Sequence, residues 1–499
     1  MTDTALQPLD RLELAPGVTR EFLHHHGVCP LRIGADGELV VGVSENAFLE
    51  ALDDLALAYG RDVATATLPA GELERAIERL AVSAERILEI SNGESRHETE
   101  EAGETGAEAR ALALQPPVIR YVNLLVRDAY DAGASDIHLE ATRSGGLTVR
   151  FRLDGVLSPA PEPPPALPQA IISRIKLLAE LDTAERRRPQ DGRIRVRLDD
   201  GELDLRISTV PTLHGESVVI RLLDQGGRPA DLEALGMGAA VFNEVVRLAC
   251  RPHGMILVTG PTGSGKTTTL YAALSRRRTD TEKVITVEDP VEYQLPGVAQ
   301  VPVHRQAGVT MGSALRSILR QDPDVIMVGE MRDRKTAETA IQAAMTGHLV
   351  FSTLHTTDAI AAIPRLLDLG VADYLVAATL EGVLAQRLVR RICDGCRAPY
   401  SPSSEQVALL AMRPVGAIRL TRGVGCAACR GTGFRGRLGL FELLTVDDDL
   451  KDAITRGARR AELATLAATC GMQTLRADGW QKVSAGLTTI EEVLRVVSD

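Results

Sequence analysis

Aromatic residues are scarce in this 499-residue sequence, at 3% of the total against 44% for apolar residues as a whole. The hydrophobic cores must therefore be built from aliphatic side chains. No apolar run approaches the roughly 18 residues that a membrane-spanning helix needs, and residues 1–16 are acidic and lack the pattern of a signal peptide. We expect a cytoplasmic protein of several domains whose contact with any membrane is peripheral.

Cysteine is also sparse, and its spacing does not suit a disulfide framework. Of the seven cysteines, Cys29, Cys250 and Cys470 stand alone, and the other four form two C-x-x-C pairs. A cysteine without a partner is most simply a small hydrophobic residue of a core. The sequence therefore predicts that the three lone cysteines are buried.

Lysine is absent from residues 1–110, where 22 acidic residues face nine arginines, a balance of −13 in a chain of net charge −11. Residues 386–439 hold ten arginines and two acids, a balance of +8. Such charge blocks indicate partner surfaces rather than a fold. Nucleic acid is not the expected partner, because the net charge is negative and the basic segment has only two aromatic residues, Tyr400 and Phe434, for stacking on bases.

The hydrophobic pattern divides the chain into an α/β multidomain protein. Residues 91–110 contain six glutamates, three glycines and no large aliphatic residue, so they are predicted to be a flexible linker. A break at Gly226–Pro229 is a hinge candidate. The expected segments are a small amino-terminal domain at 1–90, the acidic linker at 91–110, an α+β domain at 111–226, a domain of alternating strands and helices at 231–390, a tetracysteine module at 391–440 and a helical region at 441–499.

One motif directs the functional interpretation. The sequence GPTGSGKT, which continues into a segment able to open a helix, follows the apolar run Met255–Val258. Its residues are Gly260, Pro261, Thr262, Gly263, Ser264, Gly265, Lys266, Thr267 and, opening the helix, Thr268. Glycines let backbone N–H groups surround a polyphosphate, a lysine adds positive charge, and the hydroxyl of Thr267 can reach Mg²⁺. A chance glycine-rich turn would not combine all these features, so the sequence predicts ATP and Mg²⁺ as ligands.

Acidic and histidine residues bound three further apolar strands. Glu288 ends the run Ile285–Glu288, and Glu330 follows Val325–Val328. Because ligands of parallel sheets lie at the carboxyl ends of the strands, we expect both acids near the γ-phosphate, one to polarise water and one to position the metal. His348 and His355 flank a third apolar run and are added as catalytic candidates.

Cys393, Cys396, Cys426 and Cys429 form two C-x-x-C pairs separated by 29 residues. Two such knuckles can bring four thiolates into a tetrahedron around Zn²⁺, with small residues between them allowing tight turns. A redox C-x-x-C site and unliganded core cysteines are the alternatives. The sequence favours Zn²⁺, in a closed site with a structural role.

The motifs GPTGSGKTTTLY, ITVEDPVEY, DPDVIMVGEMRD and TGHLVFSTLHTTDA occur in this order. They resemble the Walker A, Asp box, Walker B and His box of the ATPases that power type II secretion and type IV pili. Upstream segments such as SDIHLE, FRLDGVL and RRRPQDGRI resemble the domain that precedes the ATPase domain in that family. The resemblance covers roughly residues 112–440 and implies a RecA-like P-loop domain.

The resemblance also implies residue roles. Glu288 would be the general base and Glu330 the acid that organises the metal. Arg206 and Arg221 match the arginines that reach the nucleotide phosphates from the preceding domain, where a planar guanidinium can neutralise transferring charge. The paired cysteines and a length near 500 residues favour a type II secretion ATPase over a retraction ATPase or a longer pilus-extension ATPase.

The expected function is therefore a Mg²⁺-dependent ATPase ring, a homo-hexamer, that drives pseudopilus assembly at the inner membrane. Residues 1–90 would bind the cytoplasmic domain of an inner-membrane secretion protein, and the basic segment would meet a membrane platform protein or anionic lipid. A type IV pilus extension ATPase, a nucleic-acid translocase and a non-hydrolysing scaffold or nucleotide sensor are the alternatives. The intact phosphate loop and acids argue against the scaffold.

Overall fold

The computed structural model describes residues 18–77, 113–277, 280–409 and 419–497, apart from short gaps at 19, 35–36, 45–49, 70, 75, 164–166, 199–200 and 225–230. The predicted linker at 91–110 and the hinge candidate at 226–229 lie outside the described residues. The described chain divides into two compact units. The first contains the described residues up to Leu222 except 133–135 and 152–158, which cluster with the second.

The amino-terminal part of the first unit is a small α/β arrangement. Its elements are α1 (Arg20–His26), β1 (Val28–Ile33), β2 (Leu39–Val43), α2 (Glu50–Tyr59) and β3 (Val63–Thr67). Strand β2 is central, antiparallel to β1 and parallel to β3. The alternation of apolar residues in β2 places Leu39, Val41 and Val43 in one core with Leu55 of α2, which is the aliphatic core that the composition predicts.

The remaining part of the first unit is built on a six-stranded sheet in the order β6-β5-β4-β9-β8-β7, whose β5–β6 turn clusters with the second unit. The elements are α3 (Pro116–Asp131), β4 (Ala134–Ala141), β5 (Leu147–Leu153), β6 (Val156–Pro159), α4 (Pro168–Leu178), β7 (Gln190–Leu198), β8 (Gly201–Thr212) and β9 (Gly215–Asp224). Helix α3 turns Val118, Val122, Leu125 and Val126 inward. Lys176 of α4 is fully buried and forms an ion pair with Glu216.

The second unit contains a seven-stranded sheet in the order β12-β11-β13-β14-β10-β15-β18. All neighbouring strands are parallel except β15 and β18, which are antiparallel. The strands are β10 (Gly254–Thr259), β11 (Val284–Glu288), β12 (Ala299–Pro302), β13 (Val325–Val328), β14 (Leu349–Leu354), β15 (Leu380–Ile392) and β18 (Phe434–Thr445). The associated helices are α5 (Ala239–Ala249), α6 (Lys266–Leu274), α7 (Met311–Ile318), α8 (Arg334–Met345), α9 (Ala362–Asp368) and α10 (Asp373–Thr379).

Helices cover both faces of this sheet, so each central strand is buried on both sides. In β10, Met255 and Leu257 belong to one core, while Ile256 and Val258 belong to the core on the opposite face. This explains why the strands read as continuous apolar runs rather than alternating ones. The α/β multidomain fold with a RecA-like sheet is thereby confirmed.

The carboxy-terminal region adds a two-stranded ribbon and a set of helices. The ribbon consists of β16 (Arg397–Tyr400) and β17 (Leu420–Gly423), and the helices are α11 (Ser404–Leu409), α12 (Asp448–Thr455), α13 (Arg460–Thr469), α14 (Leu475–Ser484) and α15 (Ile490–Val496). The domain boundaries expected at residues 390 and 440 fall inside β15 and β18. The tetracysteine segment is therefore inserted between two strands of the ATPase sheet.

Buried charges attach the terminal helices to these strands. Lys482 of α14 donates to the Gly439 carbonyl at 2.7 Å and pairs with Asp478, which accepts from the backbone N–H of Phe441 at 2.8 Å. Glu492 of α15 accepts from the backbone N–H of Arg390 at 2.9 Å. Although burial opposes it, hydrogen bonds from Arg495 and Arg390 lower the pKa of Glu492 to about 2. The helical tail is thus an integral part of the second unit.

Two sequence expectations need correction. Cys29 is buried as predicted, but Cys250 and Cys470 are exposed. Cys250 caps the carboxyl end of α5, and the thiol of Cys470 donates to Asp447 at 2.9 Å. Both follow the last turn of a helix, where the chain returns to the surface. Among the described residues, no helix is long and apolar enough to cross a membrane.

Candidate functional site

The loop between β10 and α6 has a backbone that glycine alone accommodates well. Gly260, Gly263 and Gly265 have φ angles of 151°, 78° and 85°, a region that other residues rarely adopt. A Cβ on Gly260 would lie 2.5 Å from the Gln386 carbonyl oxygen, and one on Gly265 would lie 2.9 Å from Nε2 of the same glutamine. The loop is therefore closed tightly against β15.

The polar side chains of the loop include a buried hydroxyl and an ammonium group. The Ser264 side chain is 4% exposed, and its hydroxyl has no hydrogen-bond partner among the described residues. Lys266 Nζ donates to the carbonyls of Gly260 and Pro261, both at 2.9 Å. Since α6 begins at Lys266, the helix amino terminus also faces this point. The donor set fits a nucleotide polyphosphate.

Electrostatics at Lys266 agree with this fit. Burial lowers the pKa of Lys266 to about 8, the Glu330 carboxylate opposes the decrease, and the nearby Arg387 guanidinium adds to it. An ammonium group that is partly desolvated beside another cation gains stability when a polyanion binds. Thr267 and Thr268, in the first turn of α6, are both partly buried.

Glu330 follows β13, two strands from β10 in the sheet, and lies close enough to Lys266 to influence its pKa. Its carboxylate contacts Arg332 at 2.6 Å and His355 Nε2 at 3.5 Å. His355 follows β14, the strand between β13 and β10. The parallel sheet thus brings Lys266, Glu330 and His355 to one edge, as the motif order predicts.

Glu288 has different surroundings from those expected. Its side chain is buried at 2% exposure, and its two oxygens accept from Tyr271, from Thr286 at 2.6 Å and from Gln300 at 3.2 Å. Tyr271 lies on α6 and is fully buried. A carboxylate this deeply buried is shielded from the water that a general base has to deprotonate. These contacts give no support to Glu288 as general base, and that role stays a prediction.

His348 lies at the amino end of β14, whereas the phosphate loop is at the carboxyl edge of the sheet. Its Nδ1 is 2.9 Å from the Ala343 carbonyl and 3.2 Å from the Thr346 hydroxyl. These contacts close the turn between α8 and β14. These contacts give no support to a catalytic role for His348, and that role stays a prediction.

Three residues near the site were not identified from the sequence. Glu292 is an exposed acid four positions after Glu288, in the same motif, and the third acid of ITVEDPVEY was the available signal. Gln386 accepts from the Thr269 hydroxyl of α6 at 2.7 Å, and Arg387 lies beside Gly260. No sequence signal marks these last two, because β15 reaches the loop only through sheet pairing.

The two predicted arginines belong to the first unit. Arg221 of β9 donates from Nε to Asp136 of β4 at 3.0 Å, with its side chain 58% exposed. Arg206 of β8 lies opposite Arg193 of β7 in the strand register. Both are therefore fixed on the sheet of the first unit, and the phosphate loop is in the second.

The four paired cysteines converge in the second unit. Their Sγ atoms all lie within 4.8 Å of one another, and three of the pairs are separated by 3.8, 3.8 and 3.7 Å. Four sulfurs placed about 2.3 Å from a central Zn²⁺ would be about 3.8 Å apart. The geometry therefore fits a tetrahedral zinc site.

Backbone N–H groups surround two of the four sulfurs. N–H groups of Gly425, Cys426 and Gly433 point at Cys396 Sγ or Cys429 Sγ at 3.1 to 3.3 Å. Burial raises the pKa of Cys429, but the donors from Cys426 and Gly433 outweigh it and lower the pKa to about 6. Burial raises the pKa of Cys396 to about 11. A metal cation would favour the thiolate form of both cysteines.

The basic surface near the cysteines is smaller than the charge count suggests. Arg390 is partly buried, pairs with Glu492 at 2.7 Å and lies over the ring of Phe434 at 4.1 Å. It is thus part of the packing that holds α15. Among the described residues, the exposed arginines of the segment are Arg391, Arg397, Arg419, Arg422, Arg430, Arg435 and Arg437.

Comparison with known proteins assigns most of the chain. The model of the type II/IV secretion system protein family matches residues 112–495, and the MshEN domain model matches residues 3–87. The chain is 45% identical over 500 residues to type II secretion system protein E of Xanthomonas campestris, covering 99% of this chain and 87% of that protein. It is 42% identical over 504 residues to the type IV pilus assembly ATPase PilB of Myxococcus xanthus, covering 99% and 88%.

Solved structures share the fold. The pilus retraction motor PilT with bound ADP superposes with a TM-score of 0.51 at 27% identity, covering 76% of this chain and 97% of that one. The ATPase DotB of Legionella pneumophila gives a TM-score of 0.56 at 18% identity, covering 76% and 95%, which supports the fold alone.

The lowered pKa of Lys266 predicts a pH-dependent nucleotide affinity. Polyphosphate binding raises this pKa from its free value of about 8. Below that pH the lysine is already charged, whereas above it binding must take up a proton, so the affinity should fall by as much as about tenfold per pH unit. Phosphate ionisation does not interfere, since its second pKa lies near ~6. Equilibrium binding of ADP between about pH 7 and about pH 9.5 measures the effect.

The matched control is Lys266→Arg, which keeps a positive charge because a guanidinium stays protonated throughout this range. The substitution should weaken binding at every pH and flatten the pH dependence. A wild-type affinity that stays constant up to about pH 9.5 would contradict the lowered pKa.

Proposed function

The chain belongs to the type II/IV secretion system ATPase family, and we propose that it is the Mg²⁺-dependent motor of a type II secretion system that drives pseudopilus assembly. Membership of the family makes it an ATP hydrolase of the secretion and pilus motor class. The observation that carries the finer proposal is 45% identity over 99% of the chain to a type II secretion system protein E. A second candidate is type IV pilus extension, which the 42% identity to PilB over 99% of the chain supports.

The chemistry would take place at the phosphate loop of the second unit. The loop N–H groups and Lys266 would bind the β- and γ-phosphates, and the orphan hydroxyl of Ser264 lies within the same loop. Thr267 and Glu330 would hold Mg²⁺, which would supply charge neutralisation at the phosphates. His355 contacts Glu330 and would fix the orientation of its carboxylate.

Water activation requires an acid that can accept a proton. Glu288 is enclosed by Tyr271, Thr286 and Gln300, and Glu292 is exposed in the same motif. If Glu288 is the base, nucleotide binding must give water access to its buried carboxylate. If Glu292 is the base, Glu288 keeps a structural role in linking β11 to α6.

Variants of the acids separate these roles. Glu330→Gln should bind nucleotide and lose turnover, because the metal would be misplaced. The loss of a general base lowers kcat by about 10² to 10⁴, so this decrease should appear in either Glu288→Gln or Glu292→Gln. Steady-state ATP hydrolysis by the full-length protein, with ADP binding as the control for folding, measures it. Lys266→Ala should lose both binding and hydrolysis.

A near wild-type kcat for Glu288→Gln would contradict the prediction that Glu288 is the general base. The motor proposal itself would fail if Lys266→Ala and Glu330→Gln both hydrolysed ATP normally.

A ring assembly would bring the arginines of the first unit into the reaction. We propose that the protein acts as a homo-hexamer in which Arg206 and Arg221 reach nucleotide phosphates. An arginine that stabilises the transferring phosphoryl group contributes about 10³ to 10⁵ in rate. The kcat of Arg206→Ala and Arg221→Ala tests this role, and unchanged values in both would restrict these residues to the sheet.

Residues 1–90 are proposed to recruit the motor to the inner membrane. The segment at 91–110 would then let the ATPase unit move independently of them. The MshEN model matches 3–87 separately from the ATPase family model. A segment of charge −13 over residues 1–110 suits a basic cytoplasmic domain of a membrane protein better than anionic lipid.

Deletion of residues 1–110 tests this division of labour. The truncated protein should retain ATP hydrolysis, because the phosphate loop and its acids lie beyond the deletion, and should fail to reach the inner membrane in cells. Fractionation of cells that produce the full-length and truncated forms at equal levels measures recruitment. Recruitment of the truncated form at the full-length level would contradict the proposal.

The tetracysteine site is proposed to hold one structural Zn²⁺ per chain. Four thiolates close the coordination shell and leave no position for a reacting water, and metal binding contributes folding free energy of about 10 kcal/mol. Elemental analysis should give one zinc per chain in the wild-type protein and none after Cys393→Ser with Cys426→Ser. Loss of zinc should also increase proteolysis between β15 and β18.

The exposed arginines beside this site are proposed to meet an acidic loop of a membrane platform protein or anionic headgroups. Charge reversal of Arg391, Arg430, Arg435 and Arg437 should preserve zinc and basal hydrolysis and reduce stimulation by either partner. Stimulation that survives the reversals, or a protein without zinc whose cysteines are dispensable for secretion, would refute this view of the region.

A further inference from the structure

Strand β15 continues beyond the end of its neighbour β10 and runs alongside the phosphate loop. Thr259, the last residue of β10, is paired with Ala385 of β15. The next residues of β15, Gln386 and Arg387, therefore lie beside the loop itself. A Cβ on Gly260 would be 3.1 Å from Arg387 Nη1, so the guanidinium borders the first glycine of the loop.

The contacts of Arg387 are unusual for a partly buried arginine. Its Nη1 donates to the Gln386 carbonyl at 3.0 Å, and its Nη2 donates to the Thr357 carbonyl. Both acceptors are neutral, and among the described residues Arg387 forms no ion pair. Burial lowers its pKa, while Asp358 and Glu442 oppose the decrease from a distance. The guanidinium thus has a cost of desolvation without a direct anionic partner.

A second cation lies nearby. The charge of Arg387 is one cause of the lowered pKa of Lys266, so the two groups repel each other across the loop. A bound phosphate would neutralise both, and a guanidinium can bind phosphate oxygens through two parallel hydrogen bonds. Because Lys266 would contact only some of the oxygens of the β- and γ-phosphates, the terminal phosphate keeps oxygens for the guanidinium of Arg387.

We propose that Arg387 binds the terminal phosphate of the bound nucleotide. When the triphosphate is present, its guanidinium exchanges the Thr357 carbonyl for a γ-phosphate oxygen. This inference rests on nucleotide binding by the phosphate loop. With a diphosphate, no oxygen is available at that position and the guanidinium keeps its contact with Thr357. Arg387 is then a specificity-determining residue for ATP over ADP.

The segment that Arg387 would release is linked to the terminal helices. Asp358 accepts from the Ala361 N–H at 2.9 Å and from Arg460 of α13 at 2.5 Å. The next residue, Ala359, donates its N–H to Glu442 of β18 at 2.9 Å. Release of Thr357 therefore acts on a segment tied to α13 and β18.

Glu442 extends this link to α14. Its second carboxylate oxygen accepts from the Leu475 N–H at 3.1 Å, at the start of the helix. Glu442 is buried, and this burial raises the pKa of its carboxyl group. A change at Arg387 would thus pass through residues 357–359 and Glu442 to the carboxy-terminal helices.

Nucleotide discrimination tests the proposal. Full-length Arg387→Gln, with Mg²⁺, should bind adenylyl imidodiphosphate roughly tenfold or more weakly than wild type, since one charge-assisted contact is lost, while its affinity for ADP should stay within about twofold. Arg387→Lys keeps the charge without the planar fork and should show an intermediate loss. The matched control is Arg391→Gln, which changes an exposed arginine on the same strand. It should bind both nucleotides with wild-type affinity.

The outcomes distinguish this proposal from the motor function. An unchanged ratio of triphosphate to diphosphate affinity in Arg387→Gln overturns the proposal, and so does an equal loss for both nucleotides, which would indicate general electrostatics. If Lys266→Ala loses all nucleotide binding while Arg387→Gln binds both nucleotides as wild type does, the ATPase proposal stands and only the role of Arg387 is refuted. If Arg387→Gln fails to fold, Arg387→Lys and the exchange experiment below decide.

Amide hydrogen exchange supplies a readout that a merely structural arginine would not alter. The N–H groups of Ala359 and Leu475 are protected by Glu442. In wild type, replacing ADP with adenylyl imidodiphosphate should change the exchange of the peptides that contain them. In Arg387→Lys the change should shrink by roughly half or more. An equal response in wild type and variant would overturn the coupling.

Discussion

The phosphate site depends on one partly buried cation, Lys266, which the backbone of its own loop holds in place. Lys266 is partly desolvated, bonded to the carbonyls of its own loop and repelled by Arg387. The arrangement is stable because β10 and β15 pair in parallel and close the loop from one side. In the folded protein the donors of this loop are already desolvated and oriented, so polyphosphate binding does not add that cost. The loop is therefore well suited to bind polyphosphate.

Strand β15 joins the parts of this unit that the sequence separates. Its first half pairs with β10, its middle borders the phosphate loop and its end leads into Cys393 of the tetracysteine cluster. Along the second half it is paired with β18 and receives Glu492 from the last helix. A nucleotide-dependent shift at Gln386 or Arg387 would therefore act on the tetracysteine module and on the helical tail through one continuous element.

The acids of the site show how burial sorts residues that look alike in sequence. Glu288 and Glu330 both end buried strands, yet Glu288 is turned into the protein toward Tyr271, while Glu330 faces Lys266 and His355. His348 and His355 bound one strand and are likewise separated, because a parallel strand of six residues has one end at the site and the other end far from it. Spacing along the chain could not make these distinctions.

The sequence by itself determined the phosphate loop, the acid after β13 and the two paired-cysteine motifs, because each depends on local residue types at short spacing. The order of the motifs, through its resemblance to a known family, indicated the RecA-like class of fold. Strand positions in the ATPase sheet were also predictable, since strands buried on both faces read as continuous apolar runs. Only the tertiary structure decided which acid faces the loop, that Cys250 and Cys470 are exposed, and that the cysteine segment interrupts the ATPase sheet. It alone placed Gln386 and Arg387 beside Gly260, more than a hundred residues away in sequence, because sheet order and the packing of one strand against another are set by long-range contacts that no local pattern encodes.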